Sequence, residues 1–512
     1  MINSLGIELP EYIEGYGDVK PYKGLFNETM VKKKASIPGK VVTPKEVKLL
    51  SSIKEILQEI DLKDGMCLSF HHHLRNGDYV LNMVMEEVCN KGIKDLTLAV
   101  SSIFPVHAPL VDYINKGIVT KLYASYISGP VAEAISSGRL KYPVVMQTHG
   151  GRSRAIEAGE IAIDVAFVAA PCADSYGNIN GVNGPSACGA LGYAVADCMY
   201  AKEVVAITDN LVPYPTVPIE IPQHYIDYVV SVESIGDPKG IVSGTTKITR
   251  DPIGLKIAKD ACSVIEASGL LKTGMSFQTG AGGTSLAVAK ELKEKMLKKG
   301  IRGSFASGGI TGYLVEMLEA NLFDSLLDVQ CFDIEAVRSY GENPRHQGMS
   351  ASMYGNPHNK GAVVNQLDVV ILGATEIDTS FNVNVTTDSH GVIMGGSGGH
   401  SDTAAGAKLT IIVSNLMKAR FPIIKDRVTT ITTPGESVDV LVTERGIAVN
   451  PLRKDLVDSL NQAGLKVLTI NELKAIAESY TGIPKSTIPS EEIVGVIEYR
   501  DGSVLDLIRR GK

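Results

Sequence analysis

The chain has 512 residues, 44% of them apolar and 21% charged, with a net charge of −7, the balance of an ordinary globular protein too long for a single hydrophobic core. That acidic balance argues against non-specific nucleic-acid binding, which needs a basic face, and no apolar run reaches the roughly 18–20 residues of a membrane-spanning helix. The 7 cysteines are scattered and form no C-x-x-C pair, so reduced thiols, a cytoplasmic setting without a signal segment, and no metal site are expected.

Residues 1–42 read as an N-terminal arm in which the lysines of VKKKAS form a solvated patch. TPKE then carries a helix start, with Thr43 as N-cap, Pro44 in the first turn and Glu46 closing a capping box. Residues 43–240 are expected to form a first α/β lobe. Its strand MCLSF runs into HHHLRNGD, where His71, His72, His73 and Arg75 crowd a position just after a strand. The amphipathic helix GDYVLNMVMEEVCNKG and the strand DLTLAVSS follow. QTHGGRSRAIEAGE adds His149, Arg152 and Arg154, whose arginine forks suit carboxylate recognition. Each of these cations could instead pair with a nearby acid. A zinc site is disfavoured, because adjacent histidines on an extended chain point to opposite faces.

The two lobes join near residues 235–260, and residues 241–512, including a C-terminal extension, are assigned to the second lobe. There the strand MSFQT leads into Gln278, Gly280, Gly282 and Gly283 of QTGAGGT and then into the helix TSLAVAKELKEKMLKKG, a place suited to an anion at a helix N-terminus. NPRHQGMSASMYGNPH, with Arg345 and His346, is a weaker candidate. The strand LDVVILGA ends just before Glu376, which could be a nucleophile, a general base or an ion-pair partner. The loop GGSGGHSD, Gly395 to Asp402, lacks the spacing of a Walker A loop. It also breaks the dinucleotide fingerprint, because Ser401 stands where the last glycine belongs. It reads best as a nest of N–H donors from Gly395, Gly396, Ser397, Gly398 and Gly399, beside His400, for an oxyanion or a thioester carbonyl. The stretch from about 425 onward, with strand alternation and then helical LRKDLVDSLNQAG, reads as the tail of this lobe.

The lobes also resemble each other. IDVAFVAAPCADSYGNING and LDVVILGATEIDTSFNVNV pair Asp174 with Asp378, Asn178 with Asn382 and Asn180 with Asn384. KDGMCLSF parallels KTGMSFQT, and YAKEVVAIT parallels GAKLTIIVS, at nearly constant offset. Short apolar runs separated by helices indicate buried parallel strands, whose carboxyl ends carry ligand sites. The fold class expected is two related open α/β lobes with parallel-sheet cores and flanking helices.

These stretches, with TTPGESVDVLVTERGIAVNP, make the chain resemble the CoA-transferase superfamily and, over nearly its full length, the citrate lyase alpha-subunit branch of it. The resemblance implies the reaction of citrate with an acetyl-thioester carrier protein to give acetate and a citryl thioester. It implies a phosphopantetheine-type thioester arm, with acetyl-CoA as surrogate and no permanently bound cofactor. The implied partners are a β subunit and an acyl carrier protein (γ subunit) in an oligomeric cytoplasmic complex. In relatives a glutamate in a pattern like ALEVD attacks the thioester, and it aligns with Glu376; their G-x-G-G-Q-x-D loop aligns with the glycine loop, where His400 replaces the glutamine. Citrate lyases have also been thought to exchange acyl groups through a mixed anhydride without a covalent enzyme intermediate. Citramalate lyase, a free-standing acyl-CoA transferase with a glutamyl thioester, and a non-catalytic carrier-docking scaffold are the alternatives.

Overall fold

In the computed structural model, residues 1–25, 48–71, 73–242, 247–280, 282–484 and 490–511 are described. The TPKE capping box, the VKKKAS patch and His72 lie outside them. The first described helix, Ile53–Glu59, starts instead from Ser52, whose hydroxyl accepts from the Glu55 N–H, after the short strand Leu49–Leu50.

Each repeat builds a parallel sheet in the same strand order. In the first lobe the run is Val144–Met146, Val119–Ala124, Leu96–Val100, Cys67–Phe70, Val165–Ala170, Glu203–Thr208 and Tyr228–Ser231. In the second it is His346–Gly348, Phe323–Cys331, Gly303–Ile310, Phe277–Thr279, Val369–Gly373, Leu409–Val413 and Val440–Thr443. The strands are continuous apolar runs because helices cover both faces: every residue of Val165–Ala170 and of Leu409–Val413 is buried. Full burial of one such valine or isoleucine contributes about 1.5–3 kcal/mol. The predicted helices stand where periodicity put them, as Val80–Asn90, Gly283–Lys299 and Lys454–Gln462. The second of these stops at Gly300, whose φ of +63° needs no Cβ penalty.

The repeat persists at the level of single hydrogen bonds. Asp174 accepts from the Asn178 N–H (3.2 Å) and side-chain amide (2.8 Å), as Asp378 does from Asn382 (2.9 and 3.1 Å). Lys202 pairs with Asp164 and Lys408 with Asp368, and each aspartate also accepts an N–H from the start of its neighbouring strand segment, at Cys67 or at Ser276 just before Phe277–Thr279. The matched sequence letters are therefore matched turn chemistry.

One boundary needs correcting. The C-terminal extension does not finish the second lobe: the hairpin Ile493–Glu498/Val504–Arg509 joins the first sheet, with Gly495 opposite Val144. It covers what would otherwise be an exposed edge strand. The N-terminal arm folds onto this hairpin, burying Ile7, Leu9, Ile13 and Val19 against Val496, Val504 and Leu507. The lobes touch directly. A Cβ on Gly192 would lie 2.3 Å from the Met349 carbonyl oxygen and 2.6 Å from that of Val329.

Candidate active site

The carboxyl ends of the two sheets face each other across a cavity of about 390 Å³. A larger hollow of about 640 Å³, between Val217 and the helix Ile334–Glu342, is lined by none of the residues of the glycine loops. The first lobe supplies Tyr126, His149 and Tyr193 to the smaller cavity. Gln278, Gly280, Gly282, Phe332 and Tyr354 form one second-lobe wall, and Gly396, Ser397, Gly399 and His400 form another.

The glycine loop is pressed against the first lobe. A Cβ on Gly396 would meet the Ser125 carbonyl oxygen at 2.3 Å, and one on Gly399 would meet the Tyr354 hydroxyl at 2.1 Å. Gly398 has φ +51° and bridges Thr148: its N–H donates to Ser125 O (3.1 Å) and its carbonyl accepts from the His149 N–H (2.9 Å). The N–H groups of Gly396, Ser397 and Gly399 donate to no acceptor among the described residues, so cavity-lining backbone donors remain available. Asp402, last in the loop, reaches into the first lobe. It accepts from Thr148 Oγ1 (2.7 Å) and from the Gly150 N–H (2.8 Å), capping the helix His149–Glu157 beside Thr148, the N-cap. Burial pushes its carboxyl up to about 6, although Arg500 opposes the shift. Gly396→Ala is expected to wedge the loop from Ser125 at a cost of about 1–3 kcal/mol. It should read as a lower urea midpoint, and an unchanged midpoint would show slack in the loop.

Four histidines are held neutral by burial: His71, His73, His149 and His400. Burial holds His149 down to about 3, with Arg152 adding to the effect, and it holds His400 and His71 down to about 4 and His73 well below its ordinary value. His149 Nε2 shares a 3.1 Å hydrogen bond with the Tyr193 hydroxyl. His400 donates through Nε2 to the Gly373 carbonyl (2.9 Å) and accepts at Nδ1 from Thr433 (2.7 Å), so both ring nitrogens are committed to the protein. A column of rings, His71, His73, Tyr193 and His149, steps toward the cavity with centroid spacings of 6.0, 5.9 and 4.5 Å.

Arg75 is the exceptional cation. Its guanidinium lies over Phe332 (4.6 Å) and Phe104 (5.4 Å), Nη1 is buried without a partner, and no carboxylate pairs with it among the described residues. Burial lowers its pKa, and its backbone is in the left-handed region at φ +54°. Both are costs that a site, rather than a scaffold, tends to carry. Arg75 and His73 do not line the cavity; each contacts a ring that does, Phe332 for Arg75 and Tyr193 for His73.

Glu376 opens the short strand Glu376–Asp378 and is almost fully buried. Its Oε1 accepts from Ser389 Oγ (2.6 Å), Thr429 Oγ1 (3.2 Å) and Lys425 Nζ, and its Oε2 accepts from Asn384 Nδ2 (3.0 Å) and the Thr429 N–H (2.8 Å). Burial raises its pKa, but Lys425, Ser389 and Thr429 outweigh it and hold the carboxyl below its ordinary value.

Comparison with known proteins places this geometry in a family. The family model of the citrate lyase alpha subunit (CitF) matches residues 46–511. The chain belongs to the citrate lyase alpha subunit family. It is 49% identical to the citrate lyase alpha chain of Haemophilus influenzae, over 92% of this chain and 94% of that one. It is 48% identical to that of Escherichia coli K12, over 91% of each. A Streptococcus mutans crystal structure described as a citrate lyase alpha subunit in complex with citrate superposes with TM-score 0.95 at 48% identity, covering both chains fully. A Pseudomonas malonate decarboxylase hetero-tetramer in complex with malonate shares the fold at TM-score 0.63 and 15% identity, over 86% of this chain and 84% of that one.

For this citrate lyase alpha-family chain the cavity gathers His149, Gln278, Gly280, Gly282, Gly396, Ser397, Gly399 and His400 from the residues singled out in the sequence. Gly283, Gly395 and Gly398 are chain neighbours of lining residues, and Glu376 follows the lining Gly373 by three residues. Arg152 and Arg154 are not available to a ligand: Arg152 forms a buried fork with Asp197 (2.8 and 2.6 Å), and Arg154 forms one with Glu160 (2.7 Å for each bond). His71 Nε2 lies 3.5 Å from the same Asp197. The expected cationic pocket of histidines and arginines thus reduces to Arg75. His346 is buried against Asp328 (3.2 Å), and Arg345 binds Leu318 O and Asn321. Asp328, Cys331 and His346 have metal-ligand chemistry within 4.8 Å, yet Cys331 and His346 both turn to Asp328 Oδ2 in a closed hydrogen-bond set. The aromatic lining, Tyr126, Tyr193, Phe332 and Tyr354, comes from four separate stretches, so no local pattern brought it together. Lys425 was hidden because it pairs with Glu376 across 49 residues (425 − 376).

Proposed function

We propose that this chain is a citrate:acyl-carrier-protein transferase, exchanging acetate for citrate on a thioester. What supports the reading is a pair of features within a citrate lyase alpha fold, one lining the cavity and the other stacked behind its Phe332 wall. Free N–H donors from Gly396, Ser397 and Gly399 suit a thioester carbonyl. Arg75, a cation without a carboxylate, suits an anionic acid. A citrate carboxylate attacks the acetyl thioester, and the resulting mixed anhydride is attacked by the released thiolate to give the citryl thioester and acetate. The enzyme's contribution is to exclude water and to bind the developing oxyanion. A citrate carboxylate beside His149 would oppose the effect of burial and raise its depressed pKa.

In this reading the thioester is carried by the phosphopantetheine-type arm of a carrier protein, entering along Gln278, Gly280 and Gly282. A β subunit then cleaves the citryl thioester within a cytoplasmic complex. No helix among the described residues is long and apolar enough to cross a membrane. The test is an exchange assay with the purified full chain, acetyl-CoA and citrate. Citryl-CoA and acetate should appear in equal amounts, and their absence with both acetyl-CoA and acetyl carrier protein would overturn the reading. Equal rates with citramalate would remove the claim to citrate specificity.

A further inference from the structure

Tyr354 is buried, lines the cavity and was not among the residues singled out in the sequence. It sits on the short helix Ala351–Gly355, whose start is fixed by Ser350 accepting from the Met353 N–H (3.0 Å) and by the Ala351 N–H donating to Gly192 of the first lobe (2.9 Å). The helix end is fixed as well. A Cβ on Gly150 would lie 2.1 Å from the Gly355 carbonyl oxygen, and one on Gly355 would lie 2.9 Å from the Asp402 carboxyl carbon. The side chain has little freedom to move.

Its hydroxyl has one described partner. Gln278 Nε2 donates to the tyrosine oxygen at 2.8 Å, and the Gln278 amide is oriented by Ser307, whose hydroxyl donates to Oε1 at 3.1 Å. With its oxygen already accepting, the phenol's own proton has no acceptor among the described residues. That oxygen lies against the Gly399 backbone, where an added Cβ would come within 2.1 Å, and the ring centroid is 6.5 Å from that of His149. The donor therefore stands against the Gly399 Cα, on the residue whose N–H donates to no acceptor among the described residues. Burial, the largest influence, raises the phenol's pKa and keeps it protonated at any working pH.

We propose that Tyr354 is a catalytic residue that donates its hydroxyl hydrogen bond, together with the Gly399 N–H, to the tetrahedral oxyanion formed on the thioester carbonyl, with Gln278 and Ser307 as positioning residues. The assignment rests on the transferase reading above. In the step concerned, a carboxylate oxygen of the incoming acid bonds to the thioester carbonyl carbon, and the π pair moves onto the carbonyl oxygen, where Tyr354 and Gly399 bind it. Collapse re-forms the C=O, breaks the C–S bond and sends that pair out on the thiolate sulfur. No proton is transferred, so the tyrosine works by hydrogen bonding alone, and it binds the oxyanion more tightly than the flat carbonyl.

The test compares wild type with Tyr354→Phe in the acetyl-CoA and citrate exchange, with citrate affinity measured separately by calorimetry. Loss of one such donor should lower kcat roughly 100- to 1,000-fold while the citrate Kd stays within about threefold. A kcat within about threefold of wild type would overturn the proposal. So would a fall in kcat matched by an equal loss of citrate affinity, which would make Tyr354 a ligand of the resting acid. If the phenylalanine variant fails to fold, 3,5-difluorotyrosine at position 354 keeps the shape. Its kcat should then fall at alkaline pH, where the more acidic phenol ionises, on a limb that wild type lacks; a pH profile identical to wild type would overturn the assignment. Wild type without exchange activity is a different result, sinking the transferase reading itself and the tyrosine's role with it.

Discussion

Arg75→Met is expected to abolish productive use of citrate without weakening the ligand-free protein. The guanidinium is half-buried, its Nη1 is buried and unpartnered, and it stacks on the faces of Phe104 and Phe332. Cation–π contacts supply about 0.5–2 kcal/mol, which falls short of replacing hydration of a charge in a dry site. The Met side chain fills similar space with no charge to desolvate, so the urea midpoint of the free protein should hold or rise. This is the signature of a group kept for function at the expense of stability.

The ligand should respond in the opposite sense. Each hydrogen bond from the guanidinium to a carboxylate carries about 1.5–3 kcal/mol, so citrate KM should rise roughly 10- to 150-fold for each bond lost. Saturating citrate raises the thermal midpoint of wild type by mass action, and in the variant that shift should disappear. A variant that is strongly destabilised yet still protected by citrate would place Arg75 in the scaffold. Arg152→Met is the built-in contrast. Asp197 would lose both bonds of its fork and remain a buried, unmatched carboxylate, so the expected damage there is to folding.

The contrast between these arginines also marks where the sequence was legible. Strand and helix positions were readable because burial on both sheet faces leaves continuous apolar runs, as in DVAFVAA, and amphipathic helices leave a 3.6-residue period. The repeat was readable because Asp174–Asn178 and Asp378–Asn382 are local hydrogen-bonded turns, written within five consecutive residues each. Pairings between distant segments leave no such trace. Nothing near Arg152 announces Asp197, nothing near Glu376 announces Lys425, and nothing near Val144 announces that Gly495 completes its sheet edge. GGSGGHSD is an intermediate case. Its glycines told correctly of bare backbone, but the reason is double: three N–H groups line the cavity, while Gly396 and Gly399 also let Ser125 and Tyr354 approach to distances no Cβ allows.

Glu376→Gln is expected to act on stability first and on chemistry only through it. A carboxylate offers about four lone-pair sites, and Glu376 receives five donor contacts: Ser389, Lys425 and two from Thr429, with Asn384. No lone pair is left to attack a thioester, the carboxyl is held below its ordinary value, and a less basic carboxylate is a weaker nucleophile. Neutralising it leaves the Lys425 ammonium, with only 20% of its side chain exposed, facing an amide; loss of one member of such a pair costs about 3–5 kcal/mol. The urea midpoint should fall accordingly. The sign of the pH dependence follows from the depressed pKa: the carboxylate's contribution is complete above its ordinary 4.5 and is lost as pH falls through the lower folded value, so the gap between wild type and variant should be constant near neutrality and close in acid. At temperatures where the variant is folded, exchange should persist within about tenfold. Borohydride or hydroxylamine treatment of wild type during turnover should leave Glu376 unmodified. A trapped glutamyl thioester, or a folded variant at least 10,000-fold slower than wild type, would restore the glutamate as nucleophile and make the Lys425 contact a resting state released by the incoming thioester.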